Sequence, residues 1–342
     1  MKKMFFMGEE KFQLQQVPMP VPGPDELLVR NAACGVCGTD IHIFHGEPGS
    51  AEVVPPVVLG HEYSGVVEET GKNVTGFKKG DHITVDPNIY CGVCRFCRGG
   101  KKQMCESMEA IGVTRDGGFA EYSVIPASQA FLLNKDLDLE AGAMAEPLAC
   151  CIHGIDLANI RAGDTVLVIG GGAIGLLMVQ LAKLSGASKV LLSEPVAFRR
   201  QLGEQLGADA SFDPISKNPA EEIQRLTGLQ GVDVVIECVG KTAATKQAFE
   251  TAAKGATVLL FSVPSVEATY QLPLFEVFKK ELVIKGSFVN PDTHARAVEL
   301  LNSGKVQVKP LFTHRFPLEE VEKAIEMQQS AESVKVLVIP HP

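Results

Sequence analysis

Four cysteines with short gaps form a dense group of potential metal ligands. Two residues separate neighbours among the first three, and seven precede the last: Cys91, Cys94, Cys97 and Cys105. Four thiolates complete the tetrahedral coordination of a structural zinc ion, which needs no open position. Iron–sulfur proteins also use cysteines at two-residue gaps, but the long last gap and the missing proline after Cys105 do not fit the ferredoxin pattern. The spacing therefore favours structural zinc over an iron–sulfur cluster.

A second candidate metal site uses three residues of different types that are far apart in the sequence. Cys37, His61 and Glu146 would supply a thiolate, an imidazole and a carboxylate. Three such ligands leave one zinc position for a substrate oxygen. Zinc there lowers the pKa of an alcohol, so that an alkoxide forms near neutral pH and can release a hydride. Singly, each residue could be a buried thiol, a core histidine or a helix-start carboxylate. Their occurrence alongside the other motifs favours catalytic zinc.

A glycine-rich loop follows the apolar run Thr165–Ile169 and opens a helix-length segment. It fits the G-x-G-x-x-G pattern, in which one glycine permits a tight turn, one lets a pyrophosphate approach the backbone, and one lets helix and strand pack closely. The helix N-terminus then offers free N–H groups to the phosphates. The residues expected to bind a dinucleotide here are Gly170, Gly172, Ala173, Ile174 and Gly175.

The side chain that ends the next predicted strand indicates which dinucleotide binds. Glu194 follows the run Lys189–Ser193. Its carboxylate could accept hydrogen bonds from the adenosine ribose and would repel a 2′-phosphate, which favours NAD over NADP. Arg199 and Arg200 leave NADP open, because either guanidinium could pair with a 2′-phosphate. We include Arg199 with Glu194 among the cofactor-binding residues.

The composition is that of an ordinary globular protein with an acidic net charge. Of 342 residues, 45% are hydrophobic and 21% are charged, and the formal net charge is −9. This length predicts two domains, and the lack of a clustered basic face argues against a nucleic-acid partner. We expect neither a signal peptide nor a membrane span, because charges interrupt the apolar start and every later apolar run is too short. In the cytoplasm expected from this, cysteines favour metal binding over disulfides.

The elements that would carry these motifs fall into two groups. Up to about residue 150, short β-type runs alternate with glycine and proline, which predicts a β-rich domain. From about residue 161, strand and helix patterns alternate, as in doubly wound α/β sheets. The last apolar run, 334–339, could return to the first domain and make the α/β unit an insertion.

Taken together, the motifs resemble those of the zinc-containing medium-chain dehydrogenases over essentially the whole chain. The resemblance rests on the order of Cys37-Gly-Thr-Asp40, Gly60-His-Glu62, the four-cysteine lobe, Gly117-Gly-Phe-Ala-Glu121 and the glycine loop. It implies an α/β protein whose GroES-like β-rich catalytic domain, residues 1–150 and 288–342, holds both zinc sites. An inserted Rossmann domain with a doubly wound parallel sheet, residues 151–287, would bind NAD.

The resemblance also implies roles for single residues. The three dispersed ligands match the catalytic-zinc residues of the family. Glu62 matches a carboxylate beside the metal, which in some members approaches or joins it. Thr39 matches the hydroxyl that takes the substrate proton, and His42 matches the histidine that passes it onward through the cofactor ribose. His45 is interpreted as a pocket-edge or solvent residue.

The residues after Glu146 resemble one branch of the family in particular. Glu146-Pro-Leu is similar to dehydrogenases of sorbitol, xylitol, arabinitol and butanediol, whereas liver-type alcohol dehydrogenases have a cysteine there. Animal sorbitol dehydrogenases carry an arginine where this chain has Val289. The resemblance therefore implies oxidation of a secondary alcohol of a polyol to a ketose. Val289 argues against sorbitol itself and leaves arabinitol-like or phosphorylated polyols open. L-Threonine 3-dehydrogenase and 2,3-butanediol dehydrogenase are the alternatives.

Assembly and non-enzymatic functions complete the predictions. Run 282–285 resembles the last Rossmann strand, which in this family often pairs across a dimer, and this implies a homodimer or homotetramer. A zinc- and nucleotide-binding module without catalysis is the alternative from another class. The other cysteines are interpreted as ordinary buried thiols: Cys34, Cys150, Cys151 and Cys238.

Overall fold

The computed structural model describes three stretches of the chain, residues 1–8, 10–49 and 51–341. By backbone contacts the chain divides into two compact units. One contains residues 1–150 and 289–342, and the other contains residues 151–288. None of the described helices combines the length and apolar character that crossing a membrane requires.

The first unit contains most of the strands. They are β1 (Lys2–Gly8), β2 (Lys11–Gln16), β3 (Glu26–Gly35), β4 (Val57–Val58), β5 (Glu62–Thr70), β6 (His82–Val85), β7 (Asn88–Ile89), β8 (Glu109–Ala110), β9 (Tyr122–Pro126), β10 (Ala130–Leu132), β17 (Phe312–Pro317) and β18 (Lys335–Ile339). Its helices are α1 (Gly38–Phe44), α2 (Arg95–Arg98), α3 (Leu139–Gly142), α4 (Ala145–Ala158, which ends in the second unit), α10 (His294–Asn302) and α11 (Val321–Gln329).

Strand β3 is central to the larger sheet of this unit. The sheet order is β10-β6-β5-β3-β18-β17, and β9 also pairs with β3. Inward-facing side chains such as Leu27, Tyr63 and Ile125 are fully buried and form the core. The C-terminal strand β18 pairs antiparallel with the end of β3, where Val338 lies opposite Cys34. The tail of the chain therefore reaches the strand that precedes Cys37.

The second unit alternates strands and helices. Its strands are β11 (Thr165–Ile169), β12 (Lys189–Ser193), β13 (Ala210–Phe212), β14 (Val232–Glu237), β15 (Ala252–Leu260) and β16 (Val283–Gly286). Its helices are α5 (Ala173–Leu184), α6 (Ala197–Gln205), α7 (Pro219–Thr227), α8 (Thr242–Thr251) and α9 (Leu274–Lys280). The strands form one parallel sheet in the order β13-β12-β11-β14-β15-β16. Counted from β11 this order is 3-2-1-4-5-6, the Rossmann arrangement, so the predicted doubly wound sheet is confirmed.

Local sequence signals account for these elements. All five residues of β11 are buried, as its uninterrupted apolar run requires of a central parallel strand. Helix α7 begins where Asn218 Oδ1 accepts a hydrogen bond from Ala220 N at 3.0 Å, and it has proline at its first position. It ends at Gly228, whose φ of +75° suits glycine. The sheet order reverses beside β11, which puts the glycine loop at the position where such sheets bind ligands.

Candidate active site and metal centres

The four cysteines of the short lobe lie within reach of one metal ion. Their sulfur atoms are all within 4.8 Å of one another, and Cys91 Sγ lies 3.9 Å from Cys97 Sγ. Zinc–thiolate bonds of about 2.3 Å at tetrahedral angles separate two sulfurs by about 3.8 Å. A disulfide would bring them to about 2 Å. The spacing therefore fits zinc and not a cross-link.

Backbone N–H groups favour the thiolate form of Cys91 and Cys94 and lower the pKa of both, whereas burial raises the pKa of Cys97 to about 12. Cys94 caps α2, and its Sγ accepts a hydrogen bond from Cys97 N at 3.5 Å. Cys94 N donates in turn to Cys91 Sγ at 3.4 Å, and Cys91 N donates to Cys105 Sγ at 3.3 Å. The hydrogen bond from Cys97 N is the main cause that lowers the pKa of Cys94 to about 6. These N–H groups therefore favour the thiolate of Cys94, which is the form that binds a metal ion.

The start of helix α1 holds two residues of the second candidate metal site, Cys37 and Asp40. Cys37 is its N-cap, and Asp40, three residues later, is fully buried. Asp40 Oδ2 accepts a hydrogen bond from Cys37 N at 2.9 Å, and its Oδ1 lies 3.7 Å from His61 Nδ1. The carboxylate therefore faces Nδ1 of the ring and leaves Nε2 for a metal. Sequence reasoning missed this role of Asp40, although its place three residues after a capping position was a usable signal.

Cys37 and His61 lie together with Glu62. One donor atom from each of the three is within 4.8 Å of the others. Burial alone would lower the pKa of His61, but Asp40 and Cys37 raise it well above its ordinary value. Asp40 Oδ1 and His61 Nδ1 have no hydrogen-bond partner within the described stretches. A cysteine sulfur, an imidazole and a carboxylate this close together form a donor set that fits a zinc ion.

Glu146 lies at the start of α4 and outside that group of three described ligands. Its Oε1 accepts a hydrogen bond from the half-buried Cys150 Sγ at 3.2 Å. Burial is the main cause that raises the pKa of Glu146 to about 7; Glu62 also raises it, whereas His61 lowers it. Glu146 is therefore within electrostatic reach of both, but Glu62 is the carboxylate that lies beside Cys37.

Lys335 is a further buried group at this site that sequence reasoning missed. It is 3% exposed, and its Nζ forms an ion pair with Glu62 Oε2 and donates a hydrogen bond to Val36 O at 2.9 Å. Burial opposes the charge of Lys335, but Glu62 and Cys37 outweigh it and raise its pKa. The sequence signal was a lysine within the apolar run 334–339, at the first position of β18. Its partner cannot be read from the sequence, because 273 positions separate the two residues.

The predicted proton-transfer residues lie on α1. Thr39 and His42 are both half-buried, and their separation of three residues places them on the same side of the helix. His42 Nδ1 lies 2.5 Å from Glu47 Oε2, a carboxylate that sequence reasoning did not single out. His45 forms a similar pair with Glu10 at 2.5 Å and is more exposed, in agreement with its interpretation as a peripheral residue.

The glycine loop has the geometry that a dinucleotide needs. Gly170 has φ of +101°, which favours glycine in the tight turn after β11. An added Cβ at Gly172 would meet open space, whereas one at Gly175 would overlap the carbonyl oxygen of Gly170. Gly172 therefore leaves room for a phosphate, and Gly175 permits close packing of helix and strand. Ala173 and Ile174 form the first turn of α5.

Glu194 and the two arginines follow β12. Glu194 is 3% exposed, and its carboxylate accepts hydrogen bonds from Gly171 N at 2.6 Å and Val196 N at 2.8 Å. The bond to Gly171 ties Glu194 to the glycine loop. Arg200 donates to the carbonyl oxygens of Glu194 and Pro195 at 2.8 and 2.7 Å, and the Arg199 guanidinium lies 6.0 Å from the Phe198 ring centre.

Comparisons with known proteins agree with this geometry. The alcohol dehydrogenase GroES-like domain matches residues 23–135, and the zinc-binding dehydrogenase domain matches residues 173–303. An L-threonine 3-dehydrogenase of Symbiobacterium thermophilum is 35% identical over 96% of this chain and 94% of its own. A protein of Sinorhizobium meliloti described as a zinc-binding dehydrogenase, bound to NADP, is 44% identical over 99% of both chains with a TM-score of 0.94. Galactitol-1-phosphate dehydrogenase of Escherichia coli is 29% identical over 99% of this chain and 100% of its own, with a TM-score of 0.89.

The chain therefore belongs to the zinc-containing medium-chain dehydrogenases. It is an oxidoreductase with an alcohol dehydrogenase type of activity, and it uses zinc and a nicotinamide dinucleotide. The predicted combination of a GroES-like domain with a Rossmann sheet is confirmed.

Proposed function

We propose that the enzyme oxidises a secondary alcohol of a polyol, free or phosphorylated, to a ketose and transfers the hydride to NAD. The proposal is carried by the place of Glu146, a buried carboxylate followed by Pro147 and Leu148. It is near enough to His61 for the imidazole to lower its pKa. A carboxylate at this place resembles the polyol branch of the family. The similarity to galactitol-1-phosphate dehydrogenase supports a polyol or its phosphate.

The residues take the following roles in this proposal. Cys37, His61 and Glu146 hold the catalytic zinc, with Glu62 close enough to approach it, and the four-cysteine lobe holds a structural zinc. When bound, zinc supplies Lewis acidity at the substrate oxygen, and the nicotinamide accepts the hydride. Thr39 takes the proton of the reacting hydroxyl, and His42 carries it onward. We assign residues 1–150 and 288–342 to the catalytic domain and 151–287 to the NAD-binding domain.

L-Threonine 3-dehydrogenase is the second candidate function. The relative of that name, with 35% identity over nearly the full length, favours it. Threonine differs from a polyol because an ammonium and a carboxylate flank its secondary hydroxyl. A site for threonine must hold both charges, whereas a site for a polyol holds further hydroxyl groups.

Glu194 supports NAD as the cofactor. Its carboxylate is held by Gly171 and Val196 at the end of β12, where it can accept hydrogen bonds from ribose hydroxyls. NADP is the alternative, because Arg199 and Arg200 are close in sequence and the relative from Sinorhizobium meliloti was solved with NADP. The ratio of kcat/KM with the two cofactors separates them.

We also propose that the chain forms a homodimer or homotetramer through the edge of the Rossmann sheet. Strand β16 is the last strand of that sheet, and its Val283 is 44% exposed. On α9, directly before it, Leu274, Phe275 and Phe278 are 74%, 68% and 80% exposed. Exposed apolar side chains next to an unpaired strand edge are typical of an interface. Light scattering of the wild type and of Phe278→Glu tests this: the variant is expected to be monomeric.

The catalytic proposal is tested by one paired experiment. Reduction of NAD is followed in the presence of arabinitol, galactitol 1-phosphate, 2,3-butanediol and L-threonine, for the wild type and for Cys37→Ser. We expect the wild type to oxidise a polyol and Cys37→Ser to lose turnover and one zinc per chain while still binding NAD. Full turnover in the variant would contradict the assignment of Cys37. Oxidation of threonine alone would establish the second candidate.

A further inference from the structure

A histidine–carboxylate pair lies beside the proton-transfer residues of α1. His42 Nδ1 and Glu47 Oε2 are 2.5 Å apart. The backbone supports the pair, because Glu47 N donates a hydrogen bond to His42 O at 2.8 Å and Gly46, with φ of +78°, turns the chain between them. The His42 side chain is 24% exposed and that of Glu47 is 37% exposed, so the pair lies at the border of solvent.

The position of the carboxylate determines which nitrogen of His42 can accept a proton. A carboxylate oxygen at hydrogen-bond distance accepts from Nδ1–H, which keeps the proton of a neutral imidazole on Nδ1. The lone pair is then on Nε2, which is the nitrogen free to act as a base. The same carboxylate stabilises the imidazolium that forms when Nε2 takes a proton.

We propose that Glu47 is a positioning residue of the enzyme: it fixes the tautomer and ring orientation of His42, so that Nε2 takes the proton released through Thr39. The inference rests on the proposed function, because it requires His42 in the proton path. The substrate hydroxyl loses its proton to Thr39 Oγ1 as Thr39 passes its own proton on, and Nε2 gains one proton. His42 then releases that proton to water, while the hydride leaves separately to the nicotinamide.

The chain contains a matched control for this pair. His45 Nδ1 lies 2.5 Å from Glu10 Oε1, with side chains that are 41% and 60% exposed. Both pairs join a histidine Nδ1 to a glutamate carboxylate oxygen at the same distance, but His45 is the C-cap of α1, three residues after His42 and six after Thr39. Removal of Glu10 therefore reports the effect of losing such a pair without disturbing His42.

The test compares Glu47→Ala, Glu47→Gln and Glu10→Ala in the zinc-loaded enzyme. Nitrogen-15 NMR of labelled histidine, assigned with His42→Gln, reports which ring nitrogen is protonated and needs no substrate. We expect Nδ1–H in the wild type and in Glu10→Ala, and a mixture of tautomers in Glu47→Ala. Turnover is followed with arabinitol, galactitol 1-phosphate and L-threonine. We expect kcat to fall about 10- to 100-fold in Glu47→Ala with a nearly unchanged KM, and by less than about twofold in Glu10→Ala.

Three results would overturn the inference. An unchanged His42 tautomer in both Glu47 variants would show that Glu47 does not fix it. Wild-type kcat in Glu47→Ala despite a changed tautomer would show that the tautomer does not matter for turnover. Full turnover in His42→Gln would remove His42 from the path. If the wild type oxidises none of the three substrates, the substrate proposal fails, and the NMR comparison still decides whether Glu47 fixes the tautomer.

Discussion

Replacing Lys335 by methionine is expected to destabilise the enzyme strongly. The side chains of Lys335 and Glu62 are 4% and 1% exposed, so the ion pair lies out of contact with water. Methionine removes the positive charge and the hydrogen bond to Val36 O, and it leaves the Glu62 carboxylate buried without its partner. Breaking a buried pair in this way costs about 3–5 kcal/mol of unfolding free energy.

A double-mutant comparison makes this prediction specific. In Lys335→Met with Glu62→Gln no charge of the pair remains, so the double variant should be more stable than Lys335→Met alone. Lys323→Met is the control, because its ion pair with Glu320 is exposed and worth at most about 1 kcal/mol. Urea unfolding of the zinc-loaded wild type and of these three variants measures the differences in unfolding free energy. A loss below about 1 kcal/mol in Lys335→Met, or a double variant less stable than the single one, would refute the reasoning.

Three further predictions concern the rest of the molecule. Burial lowers the pKa of His294 to about 3 from an ordinary value near 6.5, so the unfolded chain binds the extra proton first and stability falls as pH drops from about 6.5 towards 3. His294→Phe should reduce the slope of unfolding free energy against pH by up to about 1.4 kcal/mol per pH unit. Urea titrations at about pH 6 and pH 4.5 measure this slope, and the same slope in the wild type and the variant would contradict the prediction. Cys94→Ser should lose one zinc per chain by elemental analysis and unfold at a lower temperature, whereas retention of two zinc ions would exclude the four-cysteine site. Gly172→Ala should fold normally but weaken NAD binding at least about tenfold. Gly175→Ala should weaken NAD binding and, in addition, lower the melting temperature. A melting temperature of Gly175→Ala equal to that of Gly172→Ala would contradict the packing role of Gly175.

The sequence predicted elements best where burial dictates the pattern. The runs 165–169 and 189–193 were predicted with the same bounds as β11 and β12, because the middle of a parallel strand that is covered on both faces must be apolar. Strand β15 begins at Ala252, four residues before the apolar run that starts at residue 256. Exposed Lys254 and Gly255 hide that beginning, which depends on pairing with β14.

The site was predicted to the extent that its residues occur in short motifs. The four cysteines and the glycine loop have fixed spacing, so their chemistry can be read locally. Lys335 could not be predicted, because only the pairing of β18 with β3 brings it to Glu62. Glu47 was missed for a different reason. Its contact with His42 depends on the turn at Gly46, and the sequence does not specify which of the neighbouring carboxylates that turn would bring to the ring.

The most direct test of the proposed function compares kcat/KM for a polyol with kcat/KM for L-threonine. The polyols are arabinitol and galactitol 1-phosphate, and oxidation by NAD is followed on the zinc-loaded enzyme from the absorbance of reduced nicotinamide. We predict a polyol-to-threonine ratio well above one for at least one of the polyols, with NAD used more efficiently than NADP. A ratio below one for every polyol would contradict the account and assign the enzyme to threonine oxidation.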